Sequence, residues 1–326
     1  MIGKHRFWLL FAFVFCLSVT WSAWALVGVT PRLSDALRTT PKGEFLRVNA
    51  VLYDQIPLYD LLKQVIDKPR RQWRGITVPL MIQHADNSQA RLRSDLAALE
   101  KSGAVRNVKI IWLSNAINFE ANVETLQGFF ERYPELRSLD LDPSIPIEHL
   151  LDTDNKPQTS QAQPPHTNTT DWGLDDIQCH QVWAHGYWGQ GIIIATIDTG
   201  VDTTHPALQP KIWHNLNEIP NNNTDDDQNG YIDDVYGWNF DLNNNNPNSG
   251  QAHGTNTAGI MVGSNGIDTV GVAPRAKLMV LRDNAGAASG GMSMYWLAEQ
   301  YAVNNGADVI SSSLSFKWPE DRKSVV

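Results

Sequence analysis

The sequence predicts an α/β protein in two parts: a parallel sheet with helices on both sides over residues 171–326, preceded by a small α+β unit within residues 26–150. Three observations predict it. Residues 191–197, Gly-Ile-Ile-Ile-Ala-Thr-Ile, form a continuous apolar run of the kind that suits a parallel strand buried on both faces. Beyond residue 171 such strands alternate with helical patterns, which implies crossover connections and a sheet covered on both sides. Residues 45–142 read instead as strand, helix, strand, strand, helix, strand, the order of a split βαβ, ferredoxin-like unit. At 326 residues, 42% of them apolar, the chain is long enough for two domains.

At the amino terminus, a basic start (Lys4, His5, Arg6), an apolar stretch from Phe7 to Val19 and small residues at Ala23 and Ala25 read as a secretory signal peptide over residues 1–25. The apolar stretch is shorter than the roughly 20 residues that span a bilayer. Leu46, Val48, Ala50 and Leu52 then alternate as a half-buried strand, while Leu92, Leu96 and Leu99 keep helical spacing until Gly103. Val108 to Trp112 and Ile117 to Ala121 read as a strand pair. Phe129, Phe130 and Tyr133 share a helix face that Pro134 helps to end, and Leu139 and Leu141 close the unit. Residues 151–170 are polar and proline-containing, and read as a flexible linker. From residue 171 a short helix is expected near Asp176 to Trp183, then the strand that ends at Asp198. A strand at Lys277 to Leu281, a helix marked by Met294, Leu297 and Tyr301 and ended by Asn305-Gly306, and a strand at Ala307 to Ser313 follow.

The net charge of −9 is uneven, because residues 171–326 hold 18 acidic against 7 basic side chains. That half disfavours nucleic acid and favours cations. Of the two cysteines, Cys16 lies in the signal segment, which leaves Cys179 without an internal disulfide partner. Its neighbours Ile177, Val182 and Trp183 mark a buried, inert thiol, with no helix start or nearby cation to activate it.

In open parallel sheets, catalytic groups gather at the carboxyl ends of strands, and Asp198, followed by Thr199-Gly200, stands at such an end. Asp-x-Gly is also a common turn, so this segment alone leaves both readings open. His253-Gly254-Thr255 tips the balance, because it opens a small-residue helix containing Ala258 and Gly259 that can pack closely on the sheet. A carboxylate hydrogen-bonded to an imidazole fixes its tautomer and stabilises the imidazolium formed when a hydroxyl proton is taken. Asp198 would orient the ring and His253 would act as base.

Four blocks carry a resemblance: Ile194-Ala-Thr-Ile-Asp-Thr-Gly-Val-Asp-Thr-Thr-His-Pro206, His253-Gly-Thr-Asn-Thr-Ala-Gly259, Gly271-Val-Ala-Pro274 and Ala307-Asp-Val-Ile-Ser-Ser-Ser-Leu314. In that order they resemble the catalytic domain of the subtilisin-like serine peptidase (subtilase) family. The likeness covers roughly residues 171–316. It implies an endopeptidase working by acyl-enzyme chemistry through an Asp-His-Ser triad, with Asp198 and His253 in the first two places and Ser313, Leu314 and Ser315 on the substrate-binding strand. Residues 45–142 likewise resemble the family's propeptide, which assists folding and blocks the site until it is cleaved, and the propeptide domain is expected to span residues 26–150. The chain departs from the family at several points. Asn256 replaces a second His, Ala207 removes a ligand from the family's usual strong calcium site, and Ser315 and Phe316 stand where glycines often follow the substrate strand. No Gly-Thr-Ser-Met-Ala block and no Gly-Asn pair occur, so the domain reads as incomplete and the covalent step is not expected to run on this chain alone. Gly290-Gly-Met-Ser-Met294 imitates the Ser block but lies upstream of its place, and Ser293 reads as a helix-start residue. Residues 317–326 lack the family's pattern, which suggests a frameshifted or incomplete reading frame.

Between Asp198 and His253 lies Asp225-Asp-Asp-Gln-Asn-Gly-Tyr-Ile-Asp-Asp234. Counted from Asp225, it offers side-chain oxygens at positions 1, 3, 5 and 9 (Asp225, Asp227, Asn229, Asp233), the backbone of Tyr231 at position 7, and Gly230 at the sharp turn. That spacing suits calcium as a structural ion. Position 12 is Tyr236, so another group such as Asp234 must complete the shell.

The expected protein is thus a secreted (extracellular or periplasmic) serine endopeptidase precursor that acts on proteins or peptides. Its own propeptide serves as intramolecular inhibitor, with no nucleic-acid partner and no membrane contact after signal cleavage. The alternative is a non-catalytic remnant whose pro-region binds and inhibits a related protease. An aspartic protease built on Asp198-Thr-Gly200 is opposed by the α/β pattern, and a phosphate loop at Gly189-Gln-Gly191 is opposed by its place before a strand.

Overall fold

A computed structural model describes residues 28–142, 147–148, 172–264, 269–283, 291–313 and 315–316, the two short pairs by their backbone alone. The expected signal segment and linker, Leu314 and residues 317–326 lie outside the described residues. The chain divides into two compact units, one ending at Pro143 and the other starting at Ser144.

The first unit contains β1 (Gly28–Val29), α1 (Pro31–Thr39), β2 (Phe45–Leu52), α2 (Leu58–Val65), α3 (Trp73–Ser88), α4 (Ala90–Lys101), β3 (Val105–Ile111), β4 (Ala116–Asn122), the single turns α5 (Val123–Leu126) and α6 (Phe129–Arg132), and β5 (Leu136–Leu141). Its sheet has the order β1-β5-β2-β4-β3, antiparallel except where β1 joins β5. Strands β2 and β3 therefore run parallel with β4 between them, which is the split βαβ arrangement. Alternation decides which face forms the core: Val48, Ala50 and Leu52 are fully buried in one cluster with Leu92 and Leu96 of α4 and Phe119 of β4. Of the three helices between β2 and β3 only α4 is named from the sequence, although α2 carries the same signal, with Leu58, Leu61, Leu62 and Val65 at helical spacing and Leu61 and Val65 buried. In α3 the apolar residues Trp73, Ile76, Val78, Leu80, Met81 and Ile82 are spread round the helix and Ala85 alone is buried, so there is no stripe to read.

The second unit contains β6 (Ile147–Glu148), α7 (Trp172–Asp176), α8 (Cys179–Ala184), β7 (Ile193–Asp198), β8 (Gly237–Asn239), α9 (Ala252–Val262), β9 (Lys277–Arg282), α10 (Met292–Asn304), β10 (Val309–Ser312) and β11 (Ser315–Phe316). The sheet β10-β7-β9-β8 is parallel throughout, as the apolar runs require. Ile194, Leu278 and Val280 pack with Ala258 and Val262 of α9. The alternate positions Ala195, Ile197, Met279 and Leu281 are fully buried as well. Since α10 also packs on β7 and β9, the two helices cover opposite faces of the sheet. Strand β8 can approach β9 only because residue 237 is glycine: φ is +120°, and a Cβ there would lie 1.9 Å from the Val280 carbonyl oxygen. Apart from the sheet, β6 and β11 pair antiparallel, with Ile147 opposite Phe316 and Glu148 opposite Ser315.

The helix expected near Asp176 to Trp183 is two helices, because Gln178 between them takes φ of +60° and breaks the run. Cys179 then opens α8, against the expectation of no helix start at that residue. Its thiol is nevertheless buried beside Leu174 and Trp183, and burial pushes its pKa up. Desolvation is thus what keeps it inert. No helix among the described residues is long and apolar enough to cross a membrane.

Candidate active site

Asp198 is the last residue of β7, and its carboxylate is 1% exposed. Its Oδ1 accepts from the Thr199 backbone N–H at 2.7 Å and lies 2.7 Å from His253 Nδ1, while Oδ2 accepts from the Thr257 hydroxyl at 3.1 Å. The His253 side chain is 8% exposed. A carboxylate can only accept, so the imidazole proton sits on Nδ1 and the basic lone pair is left on Nε2.

Three local features bring these groups together. The Gly254 N–H donates to Thr199 Oγ1 at 3.1 Å and the Asp202 N–H donates to Thr255 Oγ1 at 2.9 Å, which stitches the turn after β7 to the first turn of α9. A Cβ on Gly254 would lie 2.2 Å from the Gly200 carbonyl oxygen and 3.1 Å from Asp198 Oδ1. Glycine there lets the helix reach the strand end. Ala258 is buried as expected for close packing, but the space around Gly259 is open, so the tight approach falls on Gly254. Thr257 was missed in the sequence. Its signal was available, since it stands four residues after His253 and so on the same helix face.

A cavity of about 780 Å³ adjoins this helix start, lined among others by Asp202, His205, Gln251, Thr255, Asn256 and Arg282. Strand β10 runs beside β7 with Ser312 opposite Ile197, so half-buried Ser313 follows at the level of Asp198. Ser315 belongs to β11, where it pairs with Glu148; Leu314 is outside the described residues.

The acidic loop between β7 and β8 is arranged differently from its spacing. The carboxylate of Asp225 accepts from the Asn229 and Gly230 N–H groups at 3.0 and 2.8 Å, and that of Asp233 from the Asn222 and Asn223 N–H groups at 3.1 and 2.9 Å. Both therefore close turns. Asn229 donates its side-chain amide to Asp234 at 2.9 Å. The Tyr231 ring meets Trp238, Phe240 and Tyr301 edge-on, and burial pushes its hydroxyl pKa well above the usual range. The carboxylates that converge are those of Glu218, Asp227 and Asp234, which bring one oxygen each within 4.8 Å of one another. Of the three carboxylates selected by spacing, Asp225, Asp227 and Asp233, the one in that group is Asp227. Glu218 lies seven residues before the loop and has no spacing signal at all. Burial, with repulsion from neighbouring carboxylates, pushes the Glu218 and Asp234 carboxyls above their ordinary values. Three hard oxygen donors, two of them buried and one half-buried, whose mutual repulsion a divalent cation would relieve fit calcium chemically.

Residues 189–324 match the Peptidase_S8 family model, described as the subtilase family. Over 221 residues the chain is 30% identical to Bacillopeptidase F of Bacillus subtilis (strain 168), covering 66% of this chain and 14% of that protein. It is 36% identical over 126 residues to Subtilisin-like protease 1 of Plasmodium berghei (strain Anka), covering 38% of this chain and 21% of that one. With thermitase of Thermoactinomyces vulgaris it shares 34% identity over 154 residues, 46% of each chain. Among solved structures, fervidolysin from Fervidobacterium pennivorans, a keratinolytic enzyme related to subtilisin, aligns at a TM-score of 0.45 and 16% identity, over 84% of this chain and 36% of that one. The chain thus spans less than half the length of each of these proteins.

Proposed function

The chain belongs to the subtilase family of serine peptidases, and from that premise we propose that it is the precursor of a secreted serine endopeptidase in which Asp198 and His253 are two of three catalytic groups. The observation that carries the proposal is the 2.7 Å contact between His253 Nδ1 and a buried carboxylate at the end of a parallel strand. Asp198 holds the ring with Nε2 as base. His253 takes the proton of a serine hydroxyl as it attacks a peptide carbonyl, and then returns it to the leaving amine. Ser313 to Ser315 would pair with substrate backbone. In support, β11 already accepts the extended pair Ile147–Glu148 of the chain itself in an antiparallel ladder, the geometry of a bound peptide. On this reading residues 1–25 direct secretion, residues 26–150 are a propeptide whose end occupies the substrate edge, and residues 151–170 link it to the peptidase domain. No Gly-Thr-Ser block stands in the 326 residues, so this chain alone would bind without cleaving.

The test is to read the coding sequence past the codon for Val326 in every frame and express the chain with the block that follows. Labelling of a serine in that block by an organophosphonate, lost in His253→Ala, is the expected result. If no frame supplies such a serine and the 326-residue chain instead inhibits a related subtilase stoichiometrically, the second reading, a non-catalytic inhibitor, replaces the first.

The Glu218–Asp227–Asp234 group is proposed to hold a structural calcium ion, which would bridge two buried carboxylates and a half-buried one and so stiffen the loop. Calcium at about 100 times its Kd is expected to add ~3 kcal/mol of stability. The measurement is a thermal melt in calcium against one in chelator. Equal melting temperatures would remove the ion from the reading.

A further inference from the structure

We propose that the Tyr301 hydroxyl positions Asp234 for the cation and ties the acidic loop to α10, so that calcium bound in the loop also steadies that helix. The inference rests on the calcium reading of the Glu218–Asp227–Asp234 group, and its test separates the two.

The donors to the three carboxylates show why. Glu218 accepts from the backbone N–H groups of Asp226, Asp227 and Asp233 at 2.9, 3.2 and 2.9 Å. Asp227 accepts from the Asn215 side chain at 3.0 Å and from the Asn229 N–H at 3.1 Å. Asp234 accepts from the side chains of Asn215 at 2.8 Å and Asn229 at 2.9 Å, and from the Tyr301 hydroxyl at 2.5 Å. Every one of these donors belongs to residues 215–233 except Tyr301, which stands 67 positions beyond Asp234. It alone among them reaches in from another element.

That reach is built to be rigid. Tyr301 is 1% exposed and Asp234 fully buried, and a buried hydroxyl beside a buried carboxylate has strong reason to keep its bond. The Tyr231 ring meets the Tyr301 ring edge-on at 4.9 Å and the Phe240 ring meets it at 6.0 Å, so the phenol is held in its direction. An ionised carboxylate has about four lone-pair sites. The three donors fix the plane of Asp234 and leave a site for a cation. Donors of this kind, placed behind a metal ligand, typically change metal affinity 10- to 100-fold. Because α10 packs on β7 and β9, the same bond carries the order of the loop into the sheet that ends at Asp198.

The experiment uses the full chain and calcium itself. By titration calorimetry, Tyr301→Phe is expected to bind calcium roughly tenfold more weakly than wild type, whereas Tyr187→Phe, at an exposed tyrosine, binds as wild type does. Amide hydrogen exchange gives the second readout. In wild type, calcium should slow exchange severalfold in both residues 215–236 and α10. In Tyr301→Phe it should slow only the loop. The wild-type exchange comparison stands even if the variant fails to fold. Unchanged affinity in Tyr301→Phe, or α10 exchange indifferent to calcium in wild type, overturns the role of Tyr301 while leaving the calcium site intact. Wild type that binds no calcium overturns both.

Discussion

In Gly254→Ala, His253 is expected to lose its hydrogen bond to Asp198 and the second unit to lose about 3 kcal/mol of stability. Two effects oppose each other. Alanine is the better helix former by ~1 kcal/mol, so in open surroundings the change would stabilise α9. Here the added Cβ would stand 2.2 Å from the Gly200 carbonyl oxygen, and neither group is a side chain that could rotate away. The helix start must therefore move off the strand end, and a 2.7 Å contact does not survive a displacement of that kind. Gly259→Ala separates the two effects, since nothing lies within 4 Å of its would-be Cβ. It should raise stability by roughly 0.5–1 kcal/mol. Thermal melts report the energies, and the downfield proton resonance of the His253 imidazole reports the bond. Its persistence in Gly254→Ala would mean that the approach of α9 is looser than the structure has it.

The other large effect is a dependence on pH set by Glu299. This residue of α10 is 7% exposed, and burial pushes its carboxyl up to about 8 from 4.5. The sign follows from linkage. Below pH 4.5 the group is mostly protonated whether the chain is folded or not, and it adds little pH dependence. Between 4.5 and 8 the unfolded chain releases the proton and the folded one keeps it, so stability falls as pH rises. The slope is roughly 1 kcal/mol per pH unit, and the loss levels off above 8. Glu299→Gln should flatten this part of the profile and leave the variant the more stable protein in mildly alkaline solution. Glu218 and Asp234 are displaced in the same direction, so the measured quantity is the difference between wild type and variant in denaturant melts at fixed calcium. Parallel profiles from pH 5 to 9 would refute the assignment to Glu299.

The parts of this molecule that could be read from sequence are those that local chemistry decides. An unbroken apolar run ending in Asp198 can be little but a buried strand with a polar end, and His253 ahead of small residues marks a helix start; both stand where the pattern put them. The parallel sheet followed from the same runs. What stayed hidden depends on distant residues meeting. Glu218 enters the acidic group because the chain turns back on itself, and Tyr301 because α10 crosses behind the loop. A spacing rule tuned to a contiguous loop selected Asp225 and Asp233, whose oxygens accept from backbone N–H groups of the turns around them, and had no means of selecting Glu218. Gly254 was hidden for another reason. Its role lies in the carbonyl it faces, and Gly259, five residues on, looks the same in sequence.

A ladder of two residue pairs such as β6 with β11 holds little free energy of its own. It persists because both partners belong to one molecule, where tethering replaces concentration. Severing the backbone between Glu148 and Trp172 would remove that tether from the ladder and leave its two strands on separate chains. Release of the edge at Ser315 then takes a cut followed by dissociation, at a rate set by how well the severed pieces fit.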